Sequence, residues 1–194
     1  MNLILLRHGE SIWNKSNIFT GWKNIPLTCK GIYEAKNVGN YFKLKKIKID
    51  YIFTSQLKRA ILTANIVNKI SGCNKKIIKS WRLNERSYGK LEGISREYVK
   101  KNYMDEYLKF KNCIFTKPYI SYFSYPEDKK AESIYQVTNR FKPLWYKQIK
   151  PILKDNKTVL IVSHKNQIKS ILYCLNLNHD IEIKNCYPIF LKII

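Results

Sequence analysis

Apolar residues cluster in short runs along this chain, and between the runs they recur every three or four positions, so strands and helices are expected in alternation. Asn2–Leu6 reads as a first strand. Thr28 is suited to an N-cap, and Ile32, Ala35, Val38, Gly39 and Phe42 follow at helical spacing, predicting a helix to about Phe42. Tyr51–Thr54 reads as a second strand, with Ser55 capping a helix over Gln56–Ile70, and Lys76–Lys79 as a short third strand. The near-continuous apolar run Thr158–Val162 suits a strand buried on both faces. It hands Ser163 and His164 to a helix over Gln167–Leu175, and a last strand is expected over Pro188–Ile193. Such alternation places the chain in the α/β class, as a three-layer αβα arrangement around a mostly parallel sheet with right-handed crossovers. Residues 1–194 fit a single domain, in which 95–130, rich in Tyr and Lys and weakly periodic, reads as a lid insertion.

The strand ends carry the candidate chemistry. In LLRHGESIWN the first strand delivers Arg7 and His8 at its C-terminal end, with Gly9 behind them and Ser11 and Asn14 close by. Ligands of open α/β sheets bind at that edge. A phosphoryl transfer to a side-chain nitrogen needs such a set: His8 as nucleophile, Arg7 to neutralise phosphoryl oxygens, Gly9 to let an anion approach the backbone. His164 also follows a strand, and Arg59 lies in the first turn after Ser55, where free N–H groups and the helix dipole favour an anion. His8, Arg59 and His164 are therefore expected in one crevice. His8 must be unprotonated to attack, and the nearby guanidinium groups disfavour its cationic form. Asn14 and Asn166 are neutral donors for the same pocket.

Longer segments are more specific: FTGW at 19–22, SQLKRA at 55–60 with Thr63 and Ala64, WRLNERSYG at 81–89, Glu132-Ser133, SHKN at 163–166, and the placement of Pro143, Trp145 and Pro151. With RHGE they resemble the histidine phosphatase superfamily and, more narrowly, its 2,3-bisphosphoglycerate-dependent phosphoglycerate mutases, over most of the chain outside about 95–130. The resemblance implies a phosphoglycerate mutase-like fold and interconversion of 3- and 2-phosphoglycerate through a phosphohistidine at His8. It implies 2,3-bisphosphoglycerate as phosphoryl donor and primer, and no metal. Arg7, Arg59 and His164 would compensate charge, and Glu85 would be the general acid and base. Thr20 and Gly21 match the stretch that meets the substrate carboxylate. Arg86, Ser87, Tyr88, Arg96, Lys165 and Asn166 complete the expected substrate-binding set. For Glu85 the competing reading is an ion pair with Arg82 or Arg86.

Several positions depart from the family pattern. Ser87 stands where a histidine is usual, Arg96 where lysine is usual, and Lys165 where glycine is usual, an expense if that glycine serves a positive φ. Gln167 and Lys169 replace a serine and an arginine. The lid's two adjacent arginines correspond most closely to Asn112 and Cys113, and the chain stops at Ile194 without the family's covering tail. A weakly closed pocket would admit water, so a phosphatase of small phosphate esters is the alternative, unless Lys109, Lys111 or Lys117 restores the lost charge. A third reading is a catalytically degenerate fold kept as a basic binding module, against which the intact Arg7, His8, Arg59, Glu85 and His164 speak.

Composition narrows the remaining classes. The net charge is +22, yet of the 36 basic residues only Arg7, Arg59, Arg82, Arg86, Arg96 and Arg140 are arginine, and the lysines are spread along the chain. Nucleic-acid sites favour arginine, so no specific nucleic-acid partner is expected; the diffuse field attracts small anionic substrates. The five cysteines are scattered and never in a Cys-x-x-Cys pair, which fits a reduced, cytoplasmic setting. No apolar stretch suits a membrane span and no secretory leader is apparent, so no membrane partner is expected. A homodimer is left open. His179 reads as a surface or capping residue without a site role.

Overall fold

The computed structural model describes residues 2–104, 107–108 and 131–193. Among them a five-stranded sheet has the order β3-β2-β4-β1-β5, with β1 Leu3–Arg7, β2 Tyr51–Thr54, β3 Ile77–Lys79, β4 Val159–Ser163 and β5 Ile189–Leu191. β1 to β4 run parallel, and β5 lies antiparallel beside β1.

Period-two alternation sorts the strand side chains into two layers. Leu3 and Leu5 of β1, with Val159 and Ile161 of β4, pack with Phe141, Leu144, Trp145, Ile168, Ile171 and Leu172 on one face. Ile4, Leu6, Leu160 and Val162 pack on the other with Val38, Phe42, Ala60, Ala64 and Val67. The first face is covered by helices Ile134–Leu144 (α5), Lys150–Lys154 (α6) and Lys165–Cys174 (α7), the second by Cys29–Leu44 (α2) and Lys58–Ser71 (α3). The three-layer expectation holds because both faces of the central strands are apolar. Short helices Ile12–Lys15 (α1) and Arg96–Asn102 (α4) lie in the connections.

Local signals place most boundaries. Thr28 caps α2 through its hydroxyl, which accepts the Gly31 N–H at 3.0 Å. Ser55 is a correction: α3 begins at Lys58 with Leu57 at the cap position, and the Ser55 hydroxyl serves the site instead. Of the expected lid 95–130, the described part begins with α4, whose Val99 joins Phe19, Tyr88 and Leu91 in a small apolar cluster. Asn112, Cys113, Lys109, Lys111 and Lys117 lie outside the described residues.

Candidate active site

Strand register explains how distant residues meet. Arg7 pairs with Ser163 across β1 and β4, so His8 and His164, each one residue further on, emerge side by side. Their ring centroids are 4.9 Å apart. Thr54 of β2 pairs with Val162 on the far side of β4, which brings Ser55 beside His164 and Arg59 into the same crevice.

The tautomer of His8 follows from its two neighbours. Gly9 O, 2.7 Å from Nδ1, can only accept, so Nδ1 carries the proton. Nε2 then holds a lone pair and accepts the Arg59 Nε–H at 3.2 Å. Burial, and then the charges of Arg59 and Arg7, hold the His8 pKa well below the ordinary histidine value. Arg59 is itself buried and locked: Nη1 donates to Lys23 O and Nη2 to Gly21 O, both at 2.8 Å. Burial lowers its pKa to about 10, which leaves it charged at neutral pH. Gly21 lends that carbonyl from φ +49°, and a Cβ there would lie 2.0 Å from Glu92 Oε1, so a larger residue would have to displace the Glu92 side chain.

His164 is fully buried, with Nε2 2.8 Å from Ser55 Oγ and no partner for Nδ1. Burial, then Arg59, lowers its pKa well below the ordinary value. Arg7 donates from Nη1 to Ile183 O at 2.8 Å, while its buried Nε has no partner. Asn185 Nδ2 donates to His8 O at 2.7 Å, and Cys186, at φ 47°, gives its N–H to Arg7 O at 3.0 Å. The 183–186 turn thus clasps the end of β1.

Glu85 is buried, and its Oε1 accepts the backbone N–H of Arg86 at 2.8 Å and of Asn166 at 3.2 Å. Arg82, offered above as an ion-pair partner, instead donates to Arg140 O at 2.9 Å and lies over the Trp81 ring. Asn166 Nδ2 donates to the buried Tyr88 hydroxyl at 2.7 Å, and burial raises the Tyr88 pKa. Arg96 is stacked 4.0 Å over Phe19, close to Tyr88, with which Arg86 also packs. Lys165 opens α7 directly after His164 with an ordinary helical backbone, so no positive φ penalises the replacement of glycine there. Thr20 is buried with its hydroxyl directed to Ile18 O.

Other expected residues are occupied differently. Ser11 and Asn14 cap each other across α1: Asn14 N–H donates to Ser11 Oγ, and Ser11 N–H to Asn14 Oδ1. Ser87 gives its N–H to Glu132 Oε2 at 2.8 Å and its hydroxyl to Glu92 at 3.4 Å. His179 is half-buried and packs edge-on against Tyr173. The sequence reading missed Asn185 and the Trp22 Nε1–H donated to Glu85 O at 2.6 Å. It also missed Arg140, although an arginine within the apolar spacing Val137, Phe141, Leu144 was a visible signal.

Comparison with known proteins agrees with this geometry. The model of the histidine phosphatase superfamily (branch 1) matches residues 3–188. A 2,3-bisphosphoglycerate-dependent phosphoglycerate mutase of Buchnera aphidicola subsp. Cinara cedri is 39% identical, over 93% of this chain and 86% of the relative. One of Bifidobacterium longum is 38% identical, over 90% and 76% respectively. Among solved structures, phosphoserine phosphatase from Entamoeba histolytica, in complex with 3-phosphoglyceric acid, superposes with a TM-score of 0.73. It is 29% identical over 96% of this chain and 88% of that one.

Proposed function

The chain belongs to the histidine phosphatase superfamily, and from that premise we propose that it is a 2,3-bisphosphoglycerate-dependent phosphoglycerate mutase. The observation that carries the mechanism is the His8 ring, with Nδ1–H held by Gly9 and the Nε2 lone pair fronting Arg59. Bisphosphoglycerate, bound, supplies the phosphoryl group that loads His8. The residues suit a small, doubly charged phosphate: Arg7 Nε and His164 Nδ1 are buried without a protein partner, and Arg59, Arg96 and Lys165 add positive charge.

His8 Nε2 attacks phosphorus in line as the ester P–O bond breaks, and the Nδ1–H to Gly9 O bond stabilises the positive charge that grows on the ring. With the Ser55 hydroxyl, 2.8 Å from His164 Nε2, acting as donor, the His164 proton would sit on Nδ1, positioned to meet a phosphoryl oxygen. Protonated Glu85 gives its proton to the leaving alkoxide. In the return step the Glu85 carboxylate takes the proton of the acceptor hydroxyl as the N–P bond breaks. Asn166, Tyr88, Arg86, Ser87, Thr20, Gly21, Ser11 and Asn14 shape and line the pocket. The setting is glycolysis and gluconeogenesis in the cytoplasm, with no metal and no nucleic-acid partner, and the enzyme acts as a monomer or homodimer.

Assay of 3-phosphoglycerate conversion with and without added bisphosphoglycerate tests this. Formation of 2-phosphoglycerate stimulated by bisphosphoglycerate is expected; release of inorganic phosphate without isomerisation would overturn it. The likeness to a phosphoserine phosphatase favours hydrolysis as the second reading, in which water replaces the acceptor hydroxyl.

A further inference from the structure

We propose that Arg140, with Glu132 and Gln167, is a positioning unit that sets Glu85 for proton transfer. The inference deepens the acid–base reading of Glu85 and rests on it. Arg140 lies on α5 with its guanidinium buried beneath the segment that carries Glu85. Nη2 donates to Asn84 O at 2.8 Å and Glu85 O at 2.9 Å, and Nη1 to Arg82 O at 2.8 Å. Nη1 also meets Gln167 Oε1 at 3.1 Å, and Nε meets Glu132 Oε1 at 2.8 Å. A guanidinium has five N–H donors, and protein acceptors surround all of them. None is left for a phosphate, so Arg140 acts through the backbone it holds.

The other two members extend the clamp to both flanks of Glu85. Glu132 Oε2 accepts the Ser87 N–H, and Glu132 O accepts the Arg86 Nε–H. Gln167 follows Asn166, whose N–H meets the Glu85 carboxylate, so the Arg140–Gln167 bond ties the start of α7 to the same clamp. Gln167 is fully buried, and its Nε2 has no partner. An unpartnered buried amide nitrogen is a cost, offset here by the bond that Oε1 makes with Arg140. Without the clamp, the carbonyls of Arg82 and of the buried Asn84 and Glu85 lose their charged donor, and the carboxylate loses its placement against the substrate oxygen.

Leaving-group chemistry provides the test. Cleavage of a phosphoglycerate ester needs a proton for the alkoxide, whereas nitrophenolate leaves without one. Arg140→Lys keeps the charge but loses the fork, and Gln167→Leu keeps the volume but loses the acceptor; Glu85→Gln is the reference. Each purified variant is compared with the unaltered enzyme for phosphoglycerate turnover, for thermal midpoint, and for nitrophenolate release from p-nitrophenyl phosphate read as the single-turnover burst, which loads His8 before any acceptor must be deprotonated. Arg140→Lys is expected to lower phosphoglycerate kcat about a hundredfold, the scale of a misplaced catalytic group, with KM and nitrophenolate release little changed. Gln167→Leu should lose the same activity by a smaller factor. Should Arg140→Lys not fold, Gln167→Leu decides. Equal losses on both substrates in the folded variants mean a general structural role and overturn the proposal. Selective loss in Glu85→Gln but not in the clamp variants also overturns it, and absence of selective loss in Glu85→Gln overturns the underlying reading of Glu85.

Discussion

At the residue scale the chemistry turns on which nitrogen of His8 carries a lone pair. Gly9 O fixes the proton on Nδ1, so Nε2 is the nitrogen free to attack in the proposed mechanism. A phosphoramidate is labile in acid and stable in base. Labelled bisphosphoglycerate should therefore give a label with that behaviour, and His8→Ala should abolish it; a label surviving acid would contradict the assignment. His164→Ala removes the buried donor opposite and should lower kcat by about two to three orders of magnitude, the usual effect of deleting a preorganised transition-state donor. Arg59→Lys should also lower turnover. One ammonium cannot hold Gly21 O and Lys23 O at 2.8 Å while still donating to His8. Steady-state rates near those of the unaltered chain in both variants would mean that charge compensation comes from elsewhere.

At the scale of elements, the site depends on how closely the loop after β1 approaches α2. A Cβ on Gly9 would lie 2.2 Å from Gly31 O, and one on Gly31 would lie 2.1 Å from Glu10 O. Two glycines thus let backbone touch backbone, with Thr28 closing the contact by donating its hydroxyl to Glu10 Oε1 at 3.0 Å. Gly9→Ala must push α2 away from the strand end and shift His8 with it. The expected cost is about 1–3 kcal/mol, as for other overpacked substitutions, read as a lower urea midpoint together with lost turnover. An unchanged midpoint would show that the loop can yield. Sequence periodicity located β1 and α2 to within a residue or two. Their contact distance was not legible, because a glycine's permissiveness at one position does not reveal what it approaches.

For the whole molecule, the two buried histidines link stability to pH. Both pKa values lie well below the ordinary 6.5, chiefly through burial and then through Arg59. Below about 6.5 the unfolded chain takes up protons that the fold refuses, so stability is full above that pH and falls as pH drops. The slope reaches about 1.4 kcal/mol per pH unit for each histidine. Urea midpoints should fall between pH 7 and 5, ahead of the carboxylates, and His164→Gln should flatten the curve; a flat profile in the unaltered chain would refute this. The net charge of +22 acts on the same scale as a field that draws anionic substrates toward the crevice.

The sequence by itself determined the layers, the strand ends and which histidines and arginines stand at them. Each rests on local rules: period-two apolarity on β1 and β4, a hydroxyl cap at Thr28, and a histidine one residue past a strand. Tertiary structure alone decided the order β3-β2-β4-β1-β5 and the reversed direction of β5. It also decided that Ser55 serves His164 rather than a helix, and that Arg140 holds Glu85 from beneath. These follow from closure of the sheet, which brings together groups that share no local spacing. A buried donor takes its partners from whatever the closed fold places within about 3 Å, and no periodicity in the chain encodes that choice.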